Sequence, residues 1–319
     1  MADLRGGIDL GGTKIQTVIV DSSGEVLGQS RRPTPTEGGP AAVAEAMAEA
    51  LREAAAEAKV ETSDLEGVGV GSPGDADEKT GVVSNAKNLS GWEGSFPLAA
   101  TLAEALGTEV RVGNDVQVAT EAEFHLGAGR EFKSLIGVFW GTGVGGGLVL
   151  DGKPWLGRGA AGEIGHMVVK RGGAKCPCGR RGCMEAYAGR LAMEAEARRL
   201  YEEGHKTDLF KLMERHGKPR LTSGIWERAL DHGDQLAKKL IDRAIEALGT
   251  GIASAVNLID PEAVIIGGGL GVRFGERLMA PLTEEMSKHL FLDEKPPAVR
   301  VASLGDLGGA IGASLLFAR

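Results

Sequence analysis

His166, Cys176, Cys178 and Cys183 stand in the order H-x9-C-x-C-x4-C. Soft thiolates with one imidazole make a tetrahedral zinc set of the Cys3His type. Pro177, Gly179 and Gly182 permit the tight knuckle that C-x-C needs. The chain has three cysteines in all, an odd number clustered within eight residues, which does not suit a disulfide framework. Joined by His166 they form a complete ligand set. Four protein ligands leave no open position for water or substrate, so the expected zinc is structural rather than catalytic. Glu163, in Gly162-Glu163-Ile164-Gly165-His166, and Glu185, just after Cys183, flank this knuckle. Carboxylates held by a rigid metal loop are good acceptors for vicinal hydroxyls; ordinary surface glutamates are the alternative.

Two glycine-rich turns carry the second kind of chemistry. Asp9-Leu10-Gly11-Gly12-Thr13-Lys14 puts an acidic residue, a glycine pair and a hydroxyl side by side. That set fits a magnesium-bound phosphate, with backbone N–H groups as anion donors. Gly141-Thr142-Gly143-Val144-Gly145-Gly146-Gly147 is the other turn. Neither matches G-x-x-x-x-G-K-[ST], which excludes a Walker-type loop. The second sits in a hairpin rather than opening a helix, so a Rossmann dinucleotide site fails too. A tight hairpin with packing glycines is its alternative. Asp115 follows a strand end and begins a helix, either as an N-cap or as a general base for an attacking hydroxyl. Asn88, in Asn88-Leu89-Ser90-Gly91-Trp92, offers both a donor and an acceptor, or serves as a turn residue.

Elements that position these groups are legible from patterning. Gly6–Leu10, Lys14–Val20 and Glu25–Arg32 read as a β-meander, the middle strand alternating. Gly39-Pro40 opens an amphipathic helix to Ala58 with Val43, Met47 and Leu51 on one face and its glutamates in solvent. Strands are expected at 67–71, 110–113, 134–140, 148–150, 263–266 and 299–303. Helices are expected from Val116, through most of 184–258 and over 306–317. Both halves open with strand, glycine turn, strand, which implies duplicated α/β domains facing a shared cleft. The boundary is expected just after Asp115: residues 1–115 in a smaller domain joined by the C-terminal helix 305–319, and 116–304 in a larger one.

Composition narrows the classes. Glycine makes up 50 of 319 residues, against about 7% in average usage, without a collagen period. Apolar residues reach 42%, enough for a core. A formal charge of −8 argues against nucleic acid as a partner. No apolar run reaches bilayer length and the first residues lack a signal-peptide layout, so no membrane association and a cytoplasmic location are expected.

Taken together, these segments resemble the ROK family of sugar kinases, most closely its bacterial glucokinases, in order along nearly the whole chain. Asp9–Lys14 and Gly141–Gly147 resemble the family's phosphate motifs. Ser72-Pro73-Gly74 and Asn88–Trp92 resemble its sugar-loop segments, and Asn114-Asp115 its catalytic pair. Gly162–His166 followed by Cys176–Glu185 resembles its signature and zinc knuckle, the most specific match. Ile265-Ile266-Gly267-Gly268-Gly269 resembles its adenosine segment.

The resemblance implies an actin-like fold of two ribonuclease-H-like α/β domains closing on a cleft. It implies transfer of the γ-phosphoryl of ATP, with Mg2+ near Asp9, to the 6-hydroxyl of a hexose such as glucose. Asp115 becomes the expected base. Gly74, Asn88, Asn114, Asp115, Glu163, His166 and Glu185 are assigned to the sugar. Asp9, Gly11, Gly12, Thr13, Lys14, Gly141, Thr142, Gly143, Gly145, Gly267, Gly268 and Gly269 are assigned to the nucleotide. His166 then does two jobs, one ring nitrogen on zinc and the other on a sugar oxygen. A homodimer or higher homo-oligomer is a family expectation. Kinases of mannose, allose, fructose, N-acetylglucosamine or N-acetylmannosamine stay open as alternatives, as does polyphosphate as donor. A sugar-responsive repressor of the family is disfavoured, because such proteins carry a helix-turn-helix ahead of the first motif, which here begins at Asp9.

Overall fold

A computed structural model describes residues 3–86 and 89–318. Strand β1 (Arg5–Leu10), the glycine turn, β2 (Lys14–Val20) and β3 (Val26–Pro33) form the meander read from the sequence. Helix α1 (Gly39–Ala58) begins with Pro40 in its first turn and buries Val43, Met47, Leu51 and Ala54. Its outer Glu49 and Glu53 are not simply solvated; both pair with Arg32 of β3. Next come β4 (Gly67–Ser72), a small sheet of β5 (Asp75–Asp77), β6 (Val82–Ser84) and β7 (Ser95–Phe96), helix α2 (Leu98–Leu106) and β8 (Val110–Asn114). The main sheet runs β3-β2-β1-β4-β8, antiparallel across the meander and parallel beyond it.

Helix α3 (Asp115–His125) leads into β9 (Leu135–Trp140), β10 (Val144–Leu150) and β11 (Lys153–Pro154). Then follow α4 (Glu185–Ala188), α5 (Arg190–Glu202), α6 (Leu209–Arg215), α7 (Ser223–Asp231) and α8 (Gln235–Ile259), the last capped by the Asp234 carboxylate. β12 (Ala263–Gly267), α9 (Gly268–Phe274), α10 (Glu276–Ser287), β13 (Ala298–Val301) and α11 (Gly308–Ser314) complete the chain. The second sheet runs β11-β10-β9-β12-β13, with the same alternation of antiparallel then parallel pairs. The repeated strand–turn–strand pattern thus marks two sheets of one topology.

Two expectations are corrected. β2 does not alternate: Ile15 to Val20 are all buried, because α1 covers one face and α11 the other. The second glycine segment is not one long turn; only Gly141-Thr142-Gly143 turns, and Gly145, Gly146 and Gly147 lie inside β10. Helices α2, α9 and α10 and the small sheet carry no strong sequence signal and were not anticipated. Among the described residues, no helix is long and apolar enough to cross a membrane.

Glycine sets how closely the layers approach. A Cβ on Gly7 of β1 would overlap the Ala310 carbonyl, and one on Gly69 of β4 the Ala313 carbonyl. Helix α11 therefore lies directly on the backbone of the first sheet. One on Gly312 would overlap the Val118 carbonyl of α3, and ones on Gly137 and Gly147 the Thr120 hydroxyl. Helix α3 is zipped to β10 by Gln117, whose Nε2 donates to the Leu148 carbonyl (3.1 Å) while its Oε1 accepts from the Leu148 amide (3.0 Å). The buried Glu123 carboxylate accepts from the amides of Ala128 (2.9 Å), Ser303 (3.0 Å) and Leu304 (2.9 Å). It thereby joins α3 to the segment that carries the chain back toward α11.

Replacing Gly69 by Val inserts atoms where a helix backbone already lies. We expect a loss of about 3 kcal/mol, at the upper end of overpacking costs, measured by urea unfolding. A midpoint equal to that of the parent chain would contradict this packing.

Candidate active site

The two sheets end on one cleft of about 990 Å³. Asp9 enters it from the end of β1, Asn114 and Asp115 from the β8–α3 junction, and Glu163 and His166 from the loop after β11. The cap of α3 is Asn114 rather than Asp115. Its Oδ1 accepts from the amides of Val116 (3.1 Å) and Gln117 (3.0 Å). This leaves Asp115 in the first turn, where its Oδ1 accepts from the Val116 amide at 2.9 Å.

Burial raises the Asp115 carboxyl to about 7, with the charges of Asp9 and then Glu163 adding to the effect. Asp9 is raised to about 6, mainly by burial; Lys14 opposes this and Asp306 reinforces it. Crowded carboxylates with little cationic compensation form a site that favours a cation or a proton. Lys14 is the nearby cation, and its Nζ lies 3.5 Å from Asp306 Oδ1.

The glycine turns line the same cleft through Gly11, Gly12, Gly141, Thr142 and Gly143, and Gly74 and Lys14 line it as well. The turns close on themselves: the Gly11 amide donates to the Lys14 carbonyl, and the Gly141 amide to the Gly143 carbonyl, both at 2.9 Å. Among the described residues the amides of Gly12 and Thr142 have no partner in the chain, so they are available to an anion. Gly268 and Gly269 face the β9–β10 turn. Gly268 has φ +79°, and a Cβ there would sit 2.6 Å from the Trp140 carbonyl oxygen.

Other expected contacts fall elsewhere. Gly267 lies inside β12 under the Phe139 ring and does not reach the cleft. Thr13 is exposed on the turn but is not part of the cleft wall. Gly145 borders the cleft, yet its missing side chain makes room for Val116. The packing alternative therefore holds for the second half of that glycine run. Asn88 lies outside the described residues. Ser223 and Glu227 on α7, and Val272 and Arg273 on α9, also line the cleft. Nothing in their local sequence sets them apart from ordinary helix-surface residues.

The knuckle residues do converge. The ligand atoms of His166, Cys176, Cys178 and Cys183 all lie within 4.8 Å of one another. Cys178 Sγ is 3.7 Å from Cys183 Sγ, and Cys176 Sγ is 3.7 Å from His166 Nδ1. Tetrahedral zinc with bonds of about 2.3 Å to sulfur puts two sulfurs about 3.8 Å apart, so the residues fit that ion. Burial pushes the Cys176 thiol up to about 12; a bound dication is what makes such a thiol a thiolate. The other ring nitrogen, His166 Nε2, lies 3.8 Å from Glu163 Oε2, toward the cleft. Glu185 also lines the cleft, but its Oε2 accepts from the Val144 amide at 3.0 Å. It thus ties the knuckle to β10 rather than standing free.

The family profile described as the ROK family matches residues 5–319. A glucokinase of Halalkalibacterium halodurans is 34% identical over 313 residues, covering 97% of this chain and 93% of that protein. An N-acetylgalactosamine kinase of Shewanella is 32% identical, covering 97% and 95%. Among solved structures, a ROK family glucokinase from Streptomyces griseus, in complex with glucose and AMPPNP, superposes with a TM-score of 0.84. It is 31% identical and covers 98% of each chain. The two-domain α/β kinase fold expected from the sequence is therefore the observed one.

The ligand geometry predicts about one zinc per chain by elemental analysis. Cys178→Ser is expected to lose most of that metal and to lower the melting temperature by several degrees, since structural zinc contributes directly to folding. Full zinc retention in this variant would remove Cys178 from the ligand set.

Proposed function

The chain belongs to the ROK family, and from that premise we propose that it transfers the γ-phosphoryl group of ATP to the 6-hydroxyl of glucose. The observation that carries this reading is Asp115. It is a half-buried carboxyl on the cleft wall, raised by desolvation to about 7, set between two glycine turns and a wall of hydroxyl acceptors. A general base works best when its pKa lies near the operating pH.

The sugar sits against Asn114, Glu163 and His166, with its primary hydroxyl at Asp115. Glu163 accepts from sugar hydroxyls, and His166, held by the knuckle, presents Nε2 beside it. Asp115 takes the proton as the hydroxyl oxygen attacks the γ-phosphorus in line. The new O–P bond forms as the bond to the β–γ bridging oxygen breaks, and ADP leaves. Amides of Gly12 and Thr142 hold the phosphate oxygens. Gly268, Gly269, Ser223 and Val272 form the wall for the nucleoside. Asp9 would hold a Mg2+ ion, because it is a half-buried carboxyl raised by desolvation to about 6 with Lys14 as the cation that offsets it; the ion would supply charge neutralisation on the phosphates. We read residues 1–115 with 305–319, and residues 116–304, as two lobes whose closure excludes water as a competing acceptor.

Glucose is favoured by the overall motif pattern and by the glucokinase relatives, while a relative that is an N-acetylgalactosamine kinase keeps the C2 substituent a matter for assay. A panel of hexoses and N-acetylhexosamines with ATP and Mg2+, followed by ADP release, is expected to give the highest kcat/KM with glucose. A higher value for an N-acetylhexosamine would move the substrate class, and no turnover with any sugar would remove the kinase reading.

Asp115→Asn is expected to retain sugar binding by calorimetry while kcat falls by about a thousand-fold or more, as for loss of a general base. Near-normal turnover would exclude Asp115 as the base. Only the carboxylate form accepts a proton, so activity is present above the Asp115 pKa and lost below it. For the free enzyme, kcat/KM is expected to fall about ten-fold per pH unit below about 7. The midpoint for kcat should lie lower, because a bound cation favours the carboxylate.

A further inference from the structure

Arg190 opens α5 and holds the β9–β10 turn from two sides. Its amide donates to the Gly141 carbonyl and the next amide, of Leu191, donates to the Thr142 carbonyl, both at 3.1 Å. Its guanidinium Nη2 donates to the Thr142 hydroxyl at 3.1 Å, and Nη1 donates to the Leu221 carbonyl at 3.1 Å. Leu221 lies in the segment leading into α7, whose Ser223 and Glu227 also line the cleft. One planar fork thus connects the β9–β10 turn to the segment that leads into α7. Lysine, with a single nitrogen, does not reproduce that geometry.

The chemistry of the Thr142 contact has a direction. A guanidinium can only donate, and a threonine hydroxyl has one hydrogen and two lone pairs. The Thr142 oxygen therefore accepts from Arg190, and its own hydrogen has to point elsewhere. Thr142 is exposed on the cleft wall, and among the described residues its hydroxyl has no acceptor in the chain. The adjoining positive charge also polarises the hydroxyl and strengthens it as a donor.

We propose that Arg190 is a positioning residue for phosphoryl transfer: it orients the Thr142 hydroxyl so that the O–H donates to a phosphate oxygen of the nucleotide. The inference rests on the kinase reading above and adds to it a residue that does not itself line the cleft.

The test is a double-mutant cycle on the full chain, with steady-state kinetics in ATP and in sugar and a melting curve for each variant. Arg190→Gln is expected to raise KM for ATP about ten-fold, the scale of a lost hydrogen bond to a charged group. Its KM for sugar and its zinc content should match the parent. Thr142→Val is expected to do the same, and the double variant to be no worse than the more impaired single variant, because both remove one interaction. Arg190→Lys should fall between parent and Arg190→Gln; if Arg190→Gln melts early, the Lys variant takes its place in the cycle. An ATP KM within about two-fold of the parent in the Arg190 variants, or effects that add in the double variant, would overturn the proposal. An inactive parent chain would instead overturn the kinase reading, so the two failures are distinguishable.

Discussion

Two short helices lying on bare backbone hold the cleft together. Helix α11 meets β1 and β4 where Gly7 and Gly69 have no side chain, and it meets α3 at Gly312. Helix α3 in turn meets β9 and β10 at Gly137 and Gly147. Backbone contact of this kind leaves little room for sliding, because at these points no side chain stands between the two backbones to rearrange. The ends of the two sheets are thereby delivered to one crevice. Asp9 at the end of β1, Asp115 at the start of α3 and the Gly141–Gly143 turn become neighbours although far apart in the chain. Glu123 reinforces this arrangement by accepting three amides from the segments around the crossing.

That convergence creates the electrostatics of the site. Desolvation raises both Asp9 and Asp115; the charges of Asp9 and then Glu163 add to it at Asp115, and that of Asp306 adds to it at Asp9. A carboxyl near neutrality at position 115 is the outcome. The same crowding suits a ligand that sets a cation against these carboxylates. Lys14, paired with Asp306, partly offsets the cluster without cancelling it.

The knuckle sets the opposite wall by a different means. The four ligand atoms converge to zinc dimensions, and His166 turns one nitrogen to the sulfurs and the other toward Glu163. Glu185 fastens the same unit to β10 through the Val144 amide. The knuckle and the start of β10 thus frame this side of the cleft. Arg190 performs a corresponding task at the glycine turn, where its fork links the β9–β10 turn to the approach to α7.

Much of this was legible in the chain because it is encoded within a few residues. The meander, α1 with its Pro40 start and the H-x9-C-x-C-x4-C set each depend on spacing over one or two turns of chain. The repeated strand–turn–strand pattern was enough to anticipate two matching sheets. Glycine was the ambiguous residue. Gly12 and Gly141 shape anion-accessible turns, whereas Gly145, Gly147 and Gly267 make room for Val116, Thr120 and Phe139. The two uses are identical in sequence, and only what lies across from the missing side chain separates them. Ser223, Glu227, Val272, Arg273 and Arg190 are silent for the same reason, as ordinary helix residues that only the fold brings to the cleft or to its glycine turn. The sequence by itself determined the local devices: the turns, the metal ligands and a carboxylate at a strand–helix junction. Tertiary structure alone decided which of them meet and how far burial raises that carboxylate, because proximity and desolvation are properties of contacts between segments distant along the chain.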